Sequence, residues 1–304
     1  MPEGVIIKAV SGFYYVFTGT GTIECKARGL FRRDGTTPLV GDIAVISSDS
    51  PGKGVIKIIK PRKNTLVRPA IANIDCLIIV VTAVEPVADP FLIDMITVAA
   101  ESAGCESVIC INKTDINTGD DLFRIYSSTG YRVTRSCAVT GFGIDELRAL
   151  TAGKICALTG NTGAGKSSIL NSLEPKLNLK VGEISKKLGR GKHTTRHSEL
   201  FPSDNGAFIA DTPGFVSFDV TKTELIQKQK LQYVFPEFFQ YLGKCRFNDC
   251  AHISEPGCMI LDAVSSGAIH PSRHKSYTRL YSMSAQTEGR KFDHRHRDII
   301  TNEQ

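Results

Sequence analysis

The chain has 304 residues, of which 41% are hydrophobic and 22% charged, a composition that predicts two or three globular domains and excludes a wholly disordered or fibrous protein. No apolar run approaches the roughly 20 residues of a membrane helix, and the amino terminus lacks a basic segment followed by an apolar one. Because nine cysteines, an odd number, do not suit a disulfide framework, we predict a reduced, cytoplasmic protein without a membrane partner.

The net charge of +6 is concentrated in the two flanks of the chain. Residues 1–62 hold 9 Lys and Arg against 5 Asp and Glu, and residues 222–304 hold 12 against 9. Residues 63–221 hold 16 against 17 and are therefore almost neutral. Basic flanks either keep a protein soluble or bind a polyanion, most simply a nucleic acid. We predict three domains with these boundaries.

The first domain, residues 1–62, has the pattern of short strands separated by glycine-rich turns. Ile23, Cys25 and Ala27 alternate with charged residues, which is the period of a strand with one apolar face. Further strands are predicted over residues 5–17, 42–46 and 54–59. Several strands in some sixty residues, without a helical period, predict a small β-barrel of the OB-fold type that binds RNA.

Three aromatic residues of this domain share one face of a predicted strand, namely Phe13, Tyr15 and Phe17. Packing in the core is the commoner role for such a face. On a barrel of this kind, aromatic side chains beside Lys26 and Arg28 would also suit the stacking of bases. Both roles stay open from the sequence.

The second domain, residues 63–221, alternates apolar runs with helical patterns. Strands are predicted over residues 75–82, 107–111, 131–134, 154–158 and 207–210. Helices are predicted over residues 90–102, 119–127, 145–150 and 167–173. This alternation predicts an α/β domain with a mostly parallel sheet covered by helices.

Asn112-Lys113-Thr114-Asp115 follows the second of these strands and resembles the base-recognition motif of GTPases. The carboxylate of Asp115 can accept from both the ring N–H and the exocyclic amine of guanine, which adenine does not present in that arrangement. A polar turn after a strand is the plainer alternative. Ser136-Cys137-Ala138 follows the next strand and resembles the shorter motif that supports the base through a backbone N–H.

Gly160-Asn161-Thr162-Gly163-Ala164-Gly165-Lys166-Ser167 matches the phosphate-loop pattern and lies between a predicted strand and a predicted helix. Its glycines allow the backbone to wrap close to phosphates, so that N–H groups and the helix N-terminus face the negative charge. Lys166 would reach the outer phosphates, and the Ser167 hydroxyl would bind Mg²⁺. A glycine-rich turn without a ligand is the weaker alternative.

Two further segments complete a candidate GTPase site. In Asp211-Thr212-Pro213-Gly214, Asp211 would hold the Mg²⁺ shell and the Gly214 N–H would sense the γ-phosphate. Upstream, either Thr194 or Thr195 is the candidate switch threonine that completes the Mg²⁺ sphere.

The group that orients the attacking water is not at its usual place. Many GTPases carry glutamine directly after this glycine, but the chain has Phe215, which cannot hydrogen-bond to water. His193, beside the switch threonines, is the nearest candidate for that role. A plain surface residue and an RNA phosphate contact are the alternatives for His193.

The order of the motifs is unusual. Most GTPases run from the phosphate loop through the switch segments to the base-recognition motif, whereas here the base-recognition residues precede the phosphate loop. The order indicates a circular permutation, which leaves the site intact in space. It also places the segment after Gly214 directly before the C-terminal region, where a switch movement could be transmitted.

The third domain, residues 222–304, is polar, predicted to be α-helical and interrupted by a Cys/His cluster. Cys245, Cys250, His252 and Cys258 lie within fourteen residues, beside the turn formers Pro256 and Gly257. Three thiolates and one imidazole suit tetrahedral Zn²⁺ in a structural site. The alternative is that the cysteines are small buried hydrophobic residues.

With its permuted motifs, N-terminal barrel and Cys/His cluster, the chain resembles the bacterial ribosome-small-subunit-dependent GTPase A family over essentially its whole length. The resemblance implies a cytoplasmic factor that binds the 30S subunit and its 16S rRNA and hydrolyses GTP to GDP late in subunit assembly. It implies GTP contacts at Asn112, Lys113, Asp115 and Gly160–Ser168, and one zinc ion on the Cys/His cluster. We expect a monomer that binds GTP with Mg²⁺.

Two other functions stay open from the sequence. One is a non-catalytic RNA-binding assembly chaperone for which GTP is only a structural ligand, although Lys166, Ser167 and Asp211 argue against it. The other is a GTPase that acts on tRNA or another RNA. Phosphate release and co-sedimentation with small subunits distinguish these functions.

Overall fold

The structure, a computed structural model, describes residues 1–27, 37–67, 70–177, 199–211 and 226–300. Asp49, Val67, Asp211 and residues 286–300 are described by their backbone alone. A barrel, a mostly parallel sheet and a helical C-terminal region follow one another along the chain. No helix among the described residues combines the length and the apolar character that crossing a bilayer requires.

The N-terminal region is a closed barrel of five strands. The strands are β1 (Glu3–Val10), β2 (Phe13–Phe17), β3 (Thr22–Ala27), β4 (Ile43–Ser50) and β5 (Lys53–Ile59). They pair in the order β1-β2-β3-β5-β4, and β4 returns to β1 and closes the barrel. The barrel core consists of Ile6, Val16, Cys25, Ala44, Ile46 and Ile56. The predicted OB-type barrel is therefore confirmed.

The single strand predicted over residues 5–17 is wrong, because a turn divides it into β1 and β2. Ser11 and Gly12 form this turn and both have positive φ, at 51° and 84°. The predicted aromatic face of β2 is only half-buried, and Val16 on the opposite face enters the core instead. The Lys26 ammonium lies 5.2 Å from the centre of the Phe13 ring, outside the barrel core.

A central sheet follows the barrel. A short hairpin of β6 (Thr65–Val67) and β7 (Ala70–Ala72) leads into it. Its strands are β8 (Cys76–Thr82), β9 (Glu106–Asn112), β10 (Arg132–Arg135), β11 (Ile155–Thr159), β12 (Glu199–Pro202) and β13 (Phe208–Asp211). They lie in the order β10-β9-β8-β11-β13-β12, and all neighbouring pairs are parallel except β12 with β13. This agrees with the predicted mostly parallel sheet.

Helices cover both faces of the central sheet. They are α1 (Pro90–Ser102), α2 (Asp120–Ser127), α3 (Ile144–Thr151) and α4 (Lys166–Leu173). The apolar side chains of α1 and α2 pack on one face of the sheet, and those of α3 and α4 pack on the other. The strands between them are nearly continuous apolar runs because both of their faces are buried.

The barrel and the central sheet form one continuous sheet. Strand β1 pairs with β12 in antiparallel register, Lys8 opposite Glu199, and the side chains of these two residues form an ion pair at 3.0 Å. Beside this junction, Phe17 of the barrel packs edge-on against Phe208, with ring centres 5.7 Å apart. The barrel is thus attached to the β12–β13 hairpin.

The C-terminal region is helical, as predicted. It contains two 3-10 helices (Lys228–Val234 and Pro236–Phe238), α5 (Met259–Ser265) and the long α6 (Pro271–Ile300). Its core is a cluster of buried apolar side chains that includes Leu231, Phe235, Phe238, Ile260, Tyr277 and Leu280.

A buried ion cluster joins the C-terminal region to the central domain. Arg273 of α6 is fully buried and pairs with Asp94 of α1 at 2.5 Å and with Glu237 at 2.6 Å. The Tyr126 hydroxyl of α2 also donates to Asp94, at 2.8 Å. Burial lowers the pKa of the Arg273 guanidinium, but the two carboxylates outweigh that effect and raise it, so Arg273 stays charged. This cluster fixes α6 against α1.

Candidate nucleotide site and metal centre

The carboxyl ends of the parallel strands lie at one edge of the central sheet, and the predicted motifs are collected there. Asn112 ends β9, Ser136 follows β10, Gly160 follows β11 and Asp211 ends β13. In open α/β sheets, ligands bind in the crevice at this edge. The sheet therefore brings together segments that are far apart in the sequence.

The phosphate-loop segment has a backbone that only glycine permits at two positions. Gly160 has a φ of 134°, and a Cβ there would lie 2.0 Å from the carbonyl oxygen of Val80. Gly165 has a φ of 95°, and a Cβ there would lie 2.3 Å from Nδ2 of Asn112. The loop then enters α4, and the Lys166 ammonium donates to the carbonyl oxygens of Gly160 and Asn161 at 2.7 Å each. The lysine thus lies over its own loop.

Asn112 connects three of the predicted motifs. Its amide Nδ2 donates to the carbonyl oxygen of Ala164 in the phosphate loop at 3.0 Å. Its Oδ1 accepts from the backbone N–H of Ala138 at 3.3 Å and from the Ser136 hydroxyl at 3.4 Å. Asn112 is only 2% exposed, so these bonds are shielded from water. The base-recognition motif, the Ser-Cys-Ala segment and the phosphate loop therefore form one hydrogen-bonded unit.

The Asp115 carboxylate is exposed at the edge of this unit and is held from one side. The buried Cys137 thiol donates to its Oδ1 at 3.1 Å. Both the N–H and the hydroxyl of Thr114 donate to the carbonyl oxygen of Ser136, which fixes the turn that carries the carboxylate. This leaves a carboxylate oriented by the protein and open toward solvent, which is the arrangement that acceptance of two donors from a base requires.

Sequence analysis missed a loop that adjoins the phosphate loop and the base-recognition turn. The Lys113 ammonium donates to the carbonyl oxygen of Glu85 at 3.2 Å. Pro86 follows this carbonyl and lies so close to Gly163 that a Cβ on the glycine would be 3.2 Å from the proline ring. The Glu-Pro dipeptide marks a turn, but nothing in the sequence indicates its neighbours.

Several predicted residues are not placed by the structure. His193, Thr194, Thr195, Gly214 and Phe215 lie outside the described residues. Asp211 is placed by its backbone, at the end of β13 and opposite Glu199 of β12. Their roles therefore stay predictions.

The Cys/His cluster in the C-terminal region is brought together by the fold. The Sγ atoms of Cys245, Cys250 and Cys258 and a ring nitrogen of His252 all lie within 4.8 Å of one another. His252 Nδ1 faces Sγ of Cys258 at 3.4 Å and Sγ of Cys245 at 3.5 Å. A compact, largely buried set of three sulfur donors and one nitrogen can hold a metal ion, and its chemistry suits a soft or borderline divalent cation.

Burial shifts the pKa of three of these side chains. Burial raises the pKa of the Cys250 thiol to about 12 and also raises the pKa of Cys258. Burial lowers the pKa of His252. These three side chains are therefore neutral at pH 7 unless a cation compensates for the burial of thiolates.

One carboxylate orders the loop that carries His252. Glu255 accepts from the N–H groups of Ala251, Ile253 and Ser254 at 2.8 to 3.0 Å. Burial opposes ionisation of Glu255, but these backbone N–H groups outweigh it and lower its pKa to about 2. The loop therefore keeps its anchor at every pH at which the thiols can bind a metal.

Two family models and several known proteins match this chain in sequence. The family model described as RsgA GTPase matches residues 59–221, and the one described as RsgA N-terminal domain matches residues 3–56. A protein of Caldanaerobacter subterraneus named small ribosomal subunit biogenesis GTPase RsgA is 42% identical over 95% of this chain and 98% of its own length. A relative of the same name from Bacillus cereus is 44% identical over 91% of this chain and 95% of its own length.

Two solved structures share the overall fold of this chain. YjeQ from Thermotoga maritima superposes with a TM-score of 0.79 at 33% identity, covering 93% of this chain and 98% of its own. YloQ, described as a circularly permuted GTPase, superposes with a TM-score of 0.79 at 32% identity, covering 94% and 96%. The order of motifs along this chain is the permuted one.

Proposed function

We propose that this chain, which belongs to the RsgA family of GTPases, hydrolyses GTP to GDP and phosphate on the 30S ribosomal subunit. Hydrolysis would take place late in the maturation of that subunit. The observation that carries the proposal is the position of Asn112, which hydrogen-bonds to both the phosphate loop and the Ser-Cys-Ala segment. One ligand that has a base and a phosphate chain can therefore bind both segments. The curated relatives named above carry the small ribosomal subunit in their names.

The described residues support a different role for each part of this site. Asp115 would accept from guanine, with Asn112 and Lys113 holding the turn around it. The backbone N–H groups between Gly160 and Ser168 would bind the phosphates, and Lys166 would move from its own loop onto them. Ser167 and Asp211 would hold Mg²⁺, which when bound neutralises charge on the phosphates.

The basic flanks suggest how the protein meets the ribosome. The barrel and the C-terminal region each carry a net positive charge, which would bind the phosphates of 16S rRNA. We propose that residues 1–62 and 222–304 form the two RNA-binding domains around the GTPase domain of residues 63–221. In this proposal the protein works in the cytoplasm as a monomer.

We expect 30S subunits to raise turnover through His193. With Phe215 after Gly214, intrinsic hydrolysis should be slow, because no side chain there orients water. His193→Ala should lower turnover on saturating 30S subunits by roughly 100-fold, the lower end of what a proton-transferring or water-positioning group contributes, and leave GTP affinity nearly unchanged. Phosphate release is measured with and without purified 30S subunits.

His197→Ala is the matched control, since it removes a second histidine four residues further along. Equal stimulation of the wild type and His193→Ala would remove His193 from the mechanism. No stimulation of the wild type would contradict ribosomal activation. No phosphate release under any condition would favour the chaperone alternative, and a failure to co-sediment with 30S subunits would favour another RNA.

We expect one zinc ion per chain on Cys245, Cys250, His252 and Cys258. Because the ligand thiols lose protons on binding, acid and chelators should release the ion. Cys250→Ser should loosen the C-terminal region and spare nucleotide binding, whose residues lie in the central domain. Elemental analysis of protein purified without added metal tests the assignment, and a content well below one zinc per chain would count against it.

A further inference from the structure

The imidazole of His252 has a hydrogen-bond partner on the side away from the cysteines. Its Nε2 lies 2.8 Å from Oε1 of Gln232, while its Nδ1 faces the Sγ atoms of Cys245 and Cys258. Gln232 belongs to the 3-10 helix Lys228–Val234, twenty residues before His252 and outside the Cys/His cluster. The two nitrogens of the ring are therefore engaged by two different parts of the chain.

The orientation of the Gln232 carboxamide is determined by a second bond. Its Nε2 donates to the carbonyl oxygen of Gln229 at 3.3 Å, which leaves the amide oxygen as the atom directed at His252. An amide oxygen only accepts hydrogen bonds, so the proton between the two side chains belongs to Nε2 of His252. Nδ1 then carries the lone pair, on the side of the Sγ atoms of Cys245 and Cys258.

We propose that Gln232 is the positioning residue of the metal centre: its carboxamide oxygen holds the Nε2 proton of His252 and so commits Nδ1 to the metal. The inference rests on the proposed zinc site. A ligating histidine held by a hydrogen bond on its other nitrogen has its tautomer and ring plane fixed before the metal arrives.

Other contacts fix the backbone of His252 but leave Nε2 of its ring to Gln232. The residue has a φ of 60°, and its carbonyl oxygen accepts from Nε2 of His274 at 2.7 Å. The ring lies beside the rings of Phe238 and Tyr277, with centres 6.3 Å and 6.4 Å away. These aromatic contacts restrict where the ring lies, but they do not distinguish one imidazole nitrogen from the other.

The carboxamide can be replaced without removing the anchors of its helix. Leu231 of this helix and Phe235, which directly follows it, are 1% and 0% exposed and hold the helix in the core of the C-terminal region. Gln232 is only half-buried. Gln229 is exposed and contributes only its backbone carbonyl to the arrangement. A change of the Gln229 side chain therefore leaves the Gln232–His252 bond intact and provides a matched control.

The test measures zinc release from the full-length protein into a chromophoric chelator. Gln232→Leu keeps the side-chain volume but offers no acceptor, and we expect zinc to leave it 10- to 100-fold faster than it leaves the wild type. Gln232→Glu offers a carboxylate oxygen to the same proton, so it should release zinc no faster than the wild type. Gln229→Leu should behave as the wild type.

A second measurement keeps the test decisive if Gln232→Leu does not fold. Gln232→Ala is then loaded with Co²⁺, whose visible absorption reports the ligand set, and a weaker or shifted band than in the wild type is expected. A wild-type rate of zinc release from Gln232→Leu, or a wild-type Co²⁺ spectrum of Gln232→Ala, would overturn the role of Gln232. A wild-type protein without zinc would instead overturn the metal site itself, so the two failures are distinguishable.

Discussion

Asp115→Asn should exchange the base preference of this protein. Its carboxylate is the only proposed group that can accept from both guanine donors, and an amide in its place opposes one of them with an N–H. GTP affinity should fall by on the order of 100-fold or more, because a mismatched site leaves buried polar groups without partners. Affinity for xanthosine triphosphate should rise, since its 2-oxo group accepts from the new amide. Isothermal titration calorimetry with both nucleotides measures the exchange.

The fold should tolerate this change, because Asp115 is exposed and the two side chains are nearly isosteric. Asp120→Asn is the matched control: it makes the same replacement at an exposed carboxylate of α2 that pairs with Arg135 instead of facing the base site. A variant at residue 115 that keeps wild-type affinity for GTP would show that another group reads the base.

Arg273→Met should cause the largest loss of stability among single substitutions in the joint between α1 and α6. The methionine fills much of the same volume but leaves Asp94 and Glu237 buried without their cation. Breaking a buried ion pair from one side costs about 3–5 kcal/mol in the free energy of unfolding. Urea unfolding followed by circular dichroism should show this decrease, and the C-terminal region should unfold before the central domain.

Two further variants separate charge from volume. Arg279→Met makes the same change on the same helix, but Arg279 is exposed and lies over the Phe91 ring at 3.8 Å, so its loss should cost no more than about 1 kcal/mol. Adding Asp94→Asn and Glu237→Gln to Arg273→Met removes the two unpaired charges and should restore much of the stability. If the triple variant is less stable than the single one, the joint depends on packing and not on charge.

The sequence predicts the local elements of the central domain well because their signals are local. The helix predicted over residues 90–102 has these bounds in the structure, since Asp89 accepts from the N–H of Phe91 and Pro90 occupies the first turn. The strand predicted over residues 107–111 extends by one residue at each end. The candidate phosphate loop and base-recognition motif can be proposed from the sequence for the same reason, because each is a short run of neighbouring residues.

Features that depend on distant partners were not predictable. Strand β12 is four residues long and ends in Pro202, so it has no strand period of its own and is stabilised by pairing with β13 and β1. In the sequence, Asp94 and Arg273 have the character of surface charges. They are 179 residues apart and become buried only because the fold brings α6 against α1. The contact of Cys137 with Asp115 likewise needs two strand ends that only the sheet order brings together.

The sheet order also determines when this protein becomes able to bind its ligand during its own synthesis. Strands β8 and β11 are neighbours at the centre of the sheet, yet β9 and β10 come between them in the chain. Translation therefore releases Asp115 before Gly160. Until β11 emerges, the edge of β8 that pairs with β11 has no partner, and the proposed base-reading residues have no phosphate loop beside them. GTP therefore cannot contact both proposed halves of its site until synthesis has passed Ser168.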